Sequence, residues 1–190
     1  MIRDLIQKNR SYRRFHEADR ITSGQLRDWT DLARLSASAR NAQPLKYILV
    51  NGKEGCDRLF PMLSWAGYLK DWGGPVPGER PSAYIVMLLD REIAADCLCD
   101  DGIAAQSILL GATEAGYGGC IVASVNRKAL QQAFHIEERF GIIQVLALGR
   151  PAETVVIEPM ENGDSRYWRD AKSVHHVPKR PLSELILEVI

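Results

Sequence analysis

The sequence SAYIVMLLD, residues 82–90, contains a continuously apolar run from Ala83 to Leu89. Such a run is too short to span a bilayer, and it predicts a strand that is covered on both faces. Three further apolar runs predict strands at residues 45–50, 120–123 and 141–148. Because strands of this kind leave no face for water, we expect helices on both sides of the sheet.

The helices are predicted from periodicity and from capping signals. Residues 101–116, DGIAAQSILLGATEAG, are apolar on nearly all sides, which indicates a helix buried centrally or against a partner chain. Thr22 and Gln25 form a capping box, with Ile21 before it as a staple, so a second helix begins there, and its buried stripe includes Leu32 and Leu35. Shorter helices are expected at 1–8, 53–63 and 126–134, and residues 153–170 have no regular pattern. Strands and helices alternate imperfectly, which predicts an α+β fold in one domain over residues 1–190.

Composition excludes several classes of function. The net charge is zero, so no global basic field favours nucleic acid or a membrane surface, and any anion site must be a local cluster. The four cysteines lack the spacing of a zinc site, so we expect no metal, and reduced thiols suit a cytoplasmic protein. No signal peptide is expected, because the N-terminus is charged from residue three.

Two local clusters are basic. Residues 10–14, RSYRR, place three guanidinium groups and a hydroxyl within five positions, and the planar guanidinium fork suits a phosphate. The alternative is a solvated basic patch. The second cluster, HHVPKR at 175–180, contains paired histidines that suggest a metal, but adjacent side chains of an extended segment diverge and no third ligand is in register.

Two other segments have ligand-like composition. The loop SASARNAQP, residues 36–44, is small and polar, which suits the edge of a flat ligand or, alternatively, an ordinary helix-to-strand connection. Residues 64–81 are rich in Gly and Pro and contain Trp65, Tyr68 and Trp72, which predict either a wall for a flat aromatic substrate or a loop packed on the core. The glycines of GYGG, 116–119, follow a helix and precede a strand, an order opposite to that of a dinucleotide-binding loop, so we interpret them as ending the helix.

Five segments, taken in their order along the chain, resemble the FMN-dependent nitroreductase family. They are NRSYRRF (9–15), SASARNAQP (36–44), GYGGCIVAS (116–124), LALGRP (146–151) and HVPKRP (176–181). The resemblance implies a mostly antiparallel sheet flanked by helices, in a homodimer whose C-terminal segment, 182–190, lies on the partner. The short 64–81 segment argues against the halotyrosine-deiodinase branch of the fold.

The resemblance also implies the residues that bind the cofactor. The FMN phosphate would be held by Arg10, Ser11, either Arg13 or Arg14, and either Lys179 or Arg180. The flavin ring and ribityl chain would lie near Ser38, Arg40 and Asn41, and backbone N–H groups of Ala123 and Ser124 would lie near flavin N5 and O4.

The implied activity is that of a flavoprotein oxidoreductase. Hydride would pass from NADH or NADPH through flavin N5 to a nitroaromatic, a quinone or a similar small acceptor in a ping-pong reaction. No catalytic side chain is expected, because the flavin carries the chemistry. Two alternatives stay open at this point: a flavin-binding protein for storage or sensing, and an α/β module that binds another phosphate ligand.

Overall fold

The computed structural model describes residues 1–190. The helices are α1 (Ile2–Lys8), α2 (Ser23–Leu35), α3 (Lys53–Leu59), α4 (Asp100–Glu114), α5 (Arg127–Ala133) and α6 (Leu182–Leu185). The strands are β1 (Leu45–Val50), β2 (Ala83–Asp90), β3 (Gly118–Val122), β4 (Phe140–Gly149), β5 (Val155–Pro159), β6 (Trp168–Arg169) and β7 (His175–Lys179). None of the helices combines the length and the apolar character needed to cross a membrane.

The main sheet has four antiparallel strands in the order β1-β2-β4-β3, which confirms the four predicted strands and the α+β class. The position of strand β2 between two core clusters explains why its sequence is apolar without interruption. Ala83, Ile85 and Met87 belong to the core cluster that includes residues of α2 and α4, whereas the alternate side chains, such as Tyr84 and Val86, join the cluster with α3 and α5. Both faces are therefore covered, as predicted.

Helix α2 begins at its predicted capping box and packs against α4. Thr22 Oγ1 accepts a hydrogen bond from Gln25 N at 3.2 Å, so the box is confirmed. A Cβ atom on Gly111 of α4 would overlap the side chain of Leu32, so the small residue allows the close approach. The predicted buried stripe was too long, because Leu32 is partly exposed and Leu35 is exposed, at the C-terminal end of the helix where it leaves the core.

The prediction of an irregular segment over 153–170 was wrong. Strand β5 pairs in parallel with β7, and the short strand β6 pairs with the other edge of β7, which forms a second sheet in the order β5-β7-β6. Parallel pairing joins segments that are far apart in sequence, so no local turn signal announces it.

The C-terminal residues beyond β7 carry an exposed apolar surface. After the single turn of α6 the chain has no regular structure, and six apolar side chains are largely in solvent: Leu182, Leu185, Ile186, Leu187, Val189 and Ile190. Exchange of this segment with a partner chain stays a prediction.

The N-terminal segment docks on the edge of β3, and glycines make the contact possible. Tyr12 N donates to the carbonyl oxygen of Gly119 at 3.1 Å, and a Cβ atom on Gly118 would lie 2.6 Å from the Tyr12 ring. Only Gly116, with φ of 79°, adopts the left-handed conformation that ends α4. The interpretation of all these glycines as helix terminators was therefore wrong for Gly118 and Gly119, which lie within β3. Gly118 gives room to the Tyr12 ring, and Gly119 allows close packing against Ala147 of β4 and Leu109 of α4.

We expect Gly118→Ala to lower the free energy of unfolding by about 1–3 kcal/mol, because the added methyl group overlaps a ring that cannot retreat without leaving the sheet edge. Gly102→Ala in α4 is the matched control. Nothing lies within 4 Å of its added methyl group, so it should be neutral or stabilising by about 0.5 kcal/mol. Urea unfolding measures both, and equal effects of the two substitutions would contradict the docking role of Gly118.

Candidate functional site

A cavity of about 300 Å³ lies between the N-terminal segment, α4, β3 and β7. Arg10, Ser11 and Arg13 line it from the N-terminal segment, and His175 and Lys179 line it from β7. Residues near both ends of the chain, more than 160 positions apart in sequence, thus face the same cavity. This is the convergence that the two basic clusters predict.

The cations of this cavity lack counterions. Arg10, Arg13 and Lys179 line it together with no carboxylate, and none of the three takes part in an ion pair. In a protein with zero net charge, this concentrates positive potential at one point.

The neighbouring cations in sequence are neutralised instead. Arg14 Nε donates to Glu79 Oε2 at 2.8 Å, and this pair lowers the pKa of Glu79. Arg180 Nη1 donates to Glu184 at 2.9 Å. Neither guanidinium lines the cavity, so the structure does not place Arg14 and Arg180 with the other predicted phosphate ligands.

Arg10 and Ser11 are positioned by backbone contacts. Arg10 Nη2 donates to the carbonyl oxygen of Ile6 in α1, which fixes the guanidinium beside the helix, while Arg10 Nε is buried without a hydrogen-bond partner. Ser11 forms a parallel bridge with Gly119 of β3. An unpaired buried donor is costly, and a ligand oxygen in the cavity would offer it an acceptor.

A buried carboxylate ties the N-terminal segment to the second sheet. The side chain of Glu153 is only 1% exposed, and it forms an ion pair with Arg169 of β6 at 2.7 Å. Its Oε1 atom also accepts hydrogen bonds from the backbone N–H groups of Arg13 and Arg14. Because one carboxylate serves three donors, the backbone that carries Arg13 is held rigidly next to the cavity.

A second, smaller cavity of about 190 Å³ adjoins the first, and Arg13 and Ile121 line both. Trp65, Ala123 and Ser124 line only the smaller one. Trp65 Nε1 is buried without an acceptor, and the N–H groups of Ala123 and Ser124 donate no backbone hydrogen bond. Three of the predicted flavin or substrate residues therefore line this cavity and have donors without a protein acceptor.

The loop at 36–44 is held by Asp100 and does not line either cavity. Ser38 Oγ donates to this buried carboxylate at 2.6 Å, and Ala39 N donates to it at 2.8 Å. Arg40 and Asn41 are exposed and have φ of 54°, a left-handed conformation that non-glycine residues rarely adopt. Arg40 and Asn41 therefore do not line either cavity of their own chain, and their contact with the flavin stays a prediction.

Two of the three predicted aromatic wall residues lie against the second sheet instead. The Tyr68 ring is 4.9 Å from the Tyr167 ring, and the Trp72 ring lies 4.3 Å from the guanidinium of Arg169. Trp65 is thus the only one of the three that lines either cavity. The segment at 64–81 therefore lines the smaller cavity through Trp65 and contacts β6 through Trp72.

Comparison with known proteins agrees with this architecture. Residues 83–150 match the family model described as Nitroreductase family. Over 184 residues the chain is 21% identical to YdgI of Bacillus subtilis (strain 168), which is assigned as an NAD(P)H nitroreductase, and the match covers 79% of this chain and 88% of that protein. A nitroreductase family protein from Streptococcus pneumoniae TIGR4 superposes with a TM-score of 0.70 at 15% identity, over 100% of both chains.

The fold is that of the nitroreductase family. A further structure with this fold, assigned as a nitroreductase from Exiguobacterium sibiricum 255-15, was solved in complex with FMN. It has a TM-score of 0.67 and 17% identity, over 80% of this chain and 89% of that one. The resemblance predicted from the sequence motifs is therefore confirmed, whereas the cofactor-binding residues stay predictions.

Tyr167 and His175 are among the residues of the larger cavity that sequence reasoning missed. Tyr167 lies in the segment interpreted as irregular, where no signal pointed to it. His175 had a signal in the alternation of a strand, because His175, Val177 and Lys179 must share one face. His176 points the other way, where it pairs with Glu158 at 2.8 Å.

We expect Glu153→Gln to lower the free energy of unfolding by about 2–4 kcal/mol, because it leaves Arg169 largely buried without a counterion. Asp57→Asn is the control, since the Lys53–Asp57 pair is exposed to solvent and its loss should cost little stability. Chemical denaturation compares the two. If the two substitutions cost the same, Glu153 is not the anchor described above.

Proposed function

We propose that the protein is an FMN-dependent oxidoreductase that transfers hydride from NADH or NADPH to a small acceptor such as a nitroaromatic or a quinone. The observation that supports this most strongly is the cavity with three unpaired cations, Arg10, Arg13 and Lys179. A terminal phosphate is a dianion whose oxygens match these donors in charge and in hydrogen-bonding character.

The residues of the two adjoining cavities fit FMN along its length. Arg10, Ser11, Arg13 and Lys179 would hold the phosphate in the larger cavity. The flavin ring would extend toward the smaller cavity, where the N–H groups of Ala123 and Ser124 and the indole N–H of Trp65 lack acceptors. Flavin ring nitrogens and carbonyl oxygens are acceptors of the kind these donors need.

When bound, FMN would supply the redox chemistry of hydride transfer. The protein would contribute binding, orientation and electrostatics. Backbone donors of Ala123 and Ser124 would stabilise negative charge without a titrating side chain, and Trp65 would form one wall of the smaller cavity. No side chain of the cavities is assigned as a general acid or base.

We further propose that the chain acts as a homodimer in the cytoplasm, as one FMN-binding domain. The exposed apolar residues after β7 require cover, and a second copy would supply it. Arg40 and Asn41 are exposed in a strained conformation and do not line the cavities of their own chain, which suits residues that complete the site of a partner. All four cysteines are free, as in a reducing compartment.

The freshly purified protein should be yellow, or become yellow when FMN is added, and its flavin absorbance should bleach with NADH or NADPH under anaerobic conditions. Addition of a quinone should then restore the colour. A protein that does not bind FMN would contradict the proposal. A protein that binds FMN but is not reduced by either nucleotide would instead be a flavin-binding protein without turnover.

Lys179→Gln should weaken FMN binding by about 10- to 100-fold, since it removes a charged donor from the larger cavity. Arg180→Gln is the matched control from the next position, because its guanidinium is paired with Glu184 outside the cavity, and it should change the dissociation constant by less than about twofold. Fluorescence titration with FMN measures both. Equal losses would remove Lys179 from the proposed phosphate site.

A further inference from the structure

The guanidinium of Arg13 is held by groups that carry no negative charge. Its Nη1 atom lies 3.3 Å from His175 Nε2 and donates to the carbonyl oxygen of Ser11 at 3.2 Å. Its plane lies over the Tyr167 ring at 4.9 Å. Arg14 differs in this respect, because its partner is the carboxylate of Glu79.

The contact with Arg13 fixes the tautomer of His175. A guanidinium can only donate, so Nε2 must be the nitrogen with the free lone pair, and the imidazole proton resides on Nδ1. His175 Nδ1 is buried without a hydrogen-bond partner, and the whole residue is 1% exposed at the cavity wall. The ring is therefore a neutral acceptor toward Arg13 and leaves one N–H unused.

The groups around His175 keep it neutral. Burial, and then the charges of Arg13, Arg169 and His176, lower its pKa to about 4. Glu153 neutralises Arg169 at 2.7 Å, and the centroids of the Tyr167 and His175 rings lie 5.1 Å apart. At neutral pH the imidazole is uncharged, so it does not offset the positive charge of Arg13.

We infer that His175 is a positioning residue for anion binding: it aims the Arg13 guanidinium into the larger cavity as a neutral acceptor, so that the full positive charge stays available for a phosphate. A carboxylate at this position would orient Arg13 equally well but would cancel its charge, as Glu79 does for Arg14. This inference rests on the proposed function, since it assumes that Arg13 binds the phosphate of FMN.

The test compares FMN dissociation constants of the wild type, His175→Gln and His175→Phe. Glutamine places an amide oxygen where Nε2 lies, so His175→Gln should bind FMN within about threefold of the wild type. Phenylalanine keeps the ring without an acceptor, so His175→Phe should bind about tenfold or more weakly. Both variants should unfold cooperatively, which circular dichroism checks.

A double-mutant cycle with Arg13→Gln distinguishes positioning of the Arg13 guanidinium from a general disruption of the fold. If His175 acts through Arg13, adding His175→Phe to the Arg13→Gln protein should change FMN binding by less than about twofold. The inference is overturned if His175→Phe binds FMN as tightly as the wild type, or if its effect is the same with and without Arg13. Failure of the wild type to bind FMN is a different outcome, because it overturns the proposed function itself.

Discussion

The docking of the N-terminal segment on β3 is the contact on which the candidate site depends. Gly118 leaves room at the edge of the strand for the Tyr12 ring, Ser11 bridges Gly119, and Glu153 fixes the backbone N–H groups of Arg13 and Arg14. This docking brings the first basic cluster next to the second, where Arg13 Nη1 lies 3.3 Å from His175 Nε2. A packing constraint at Gly118 thus precedes the electrostatics of the site.

The distribution of ion pairs then decides which cations can serve a ligand. The chain has equal numbers of basic and acidic residues, and seven of its 17 arginines form ion pairs with carboxylates. The cavity between α4, β3 and β7 brings three of the unpaired cations together, because Arg10, Arg13 and Lys179 line it without a carboxylate. Like charges in proximity cost free energy, so this arrangement is best explained by an anion that binds among them. The neutral contacts of Arg13, to a carbonyl oxygen, an imidazole and a ring, belong to the same pattern.

Much of the fold was predictable, because its strongest signals are local. The apolar run of β2, the capping box of α2 and the apolar α4 each follow from the sequence alone, and all three are present. The second sheet was not predictable, since the pairing of β5 with β7 is parallel and long in range.

Within the site, the alternation of an extended chain separates Arg13 from Arg14 and Lys179 from Arg180, and it groups His175 with Lys179. That rule was available from the sequence, whereas the carboxylates that neutralise Arg14 and Arg180 could be identified only from the structure.

The central claim is that residues from both ends of the chain converge on one dianion. The most direct test is the ratio of the dissociation constants of riboflavin and FMN, two ligands that share the ring and differ in the terminal phosphate. At low ionic strength we expect FMN to bind at least about 100-fold more tightly, and the ratio should shrink as salt screens the three cations. Equal affinities for the two ligands at low salt would contradict the account.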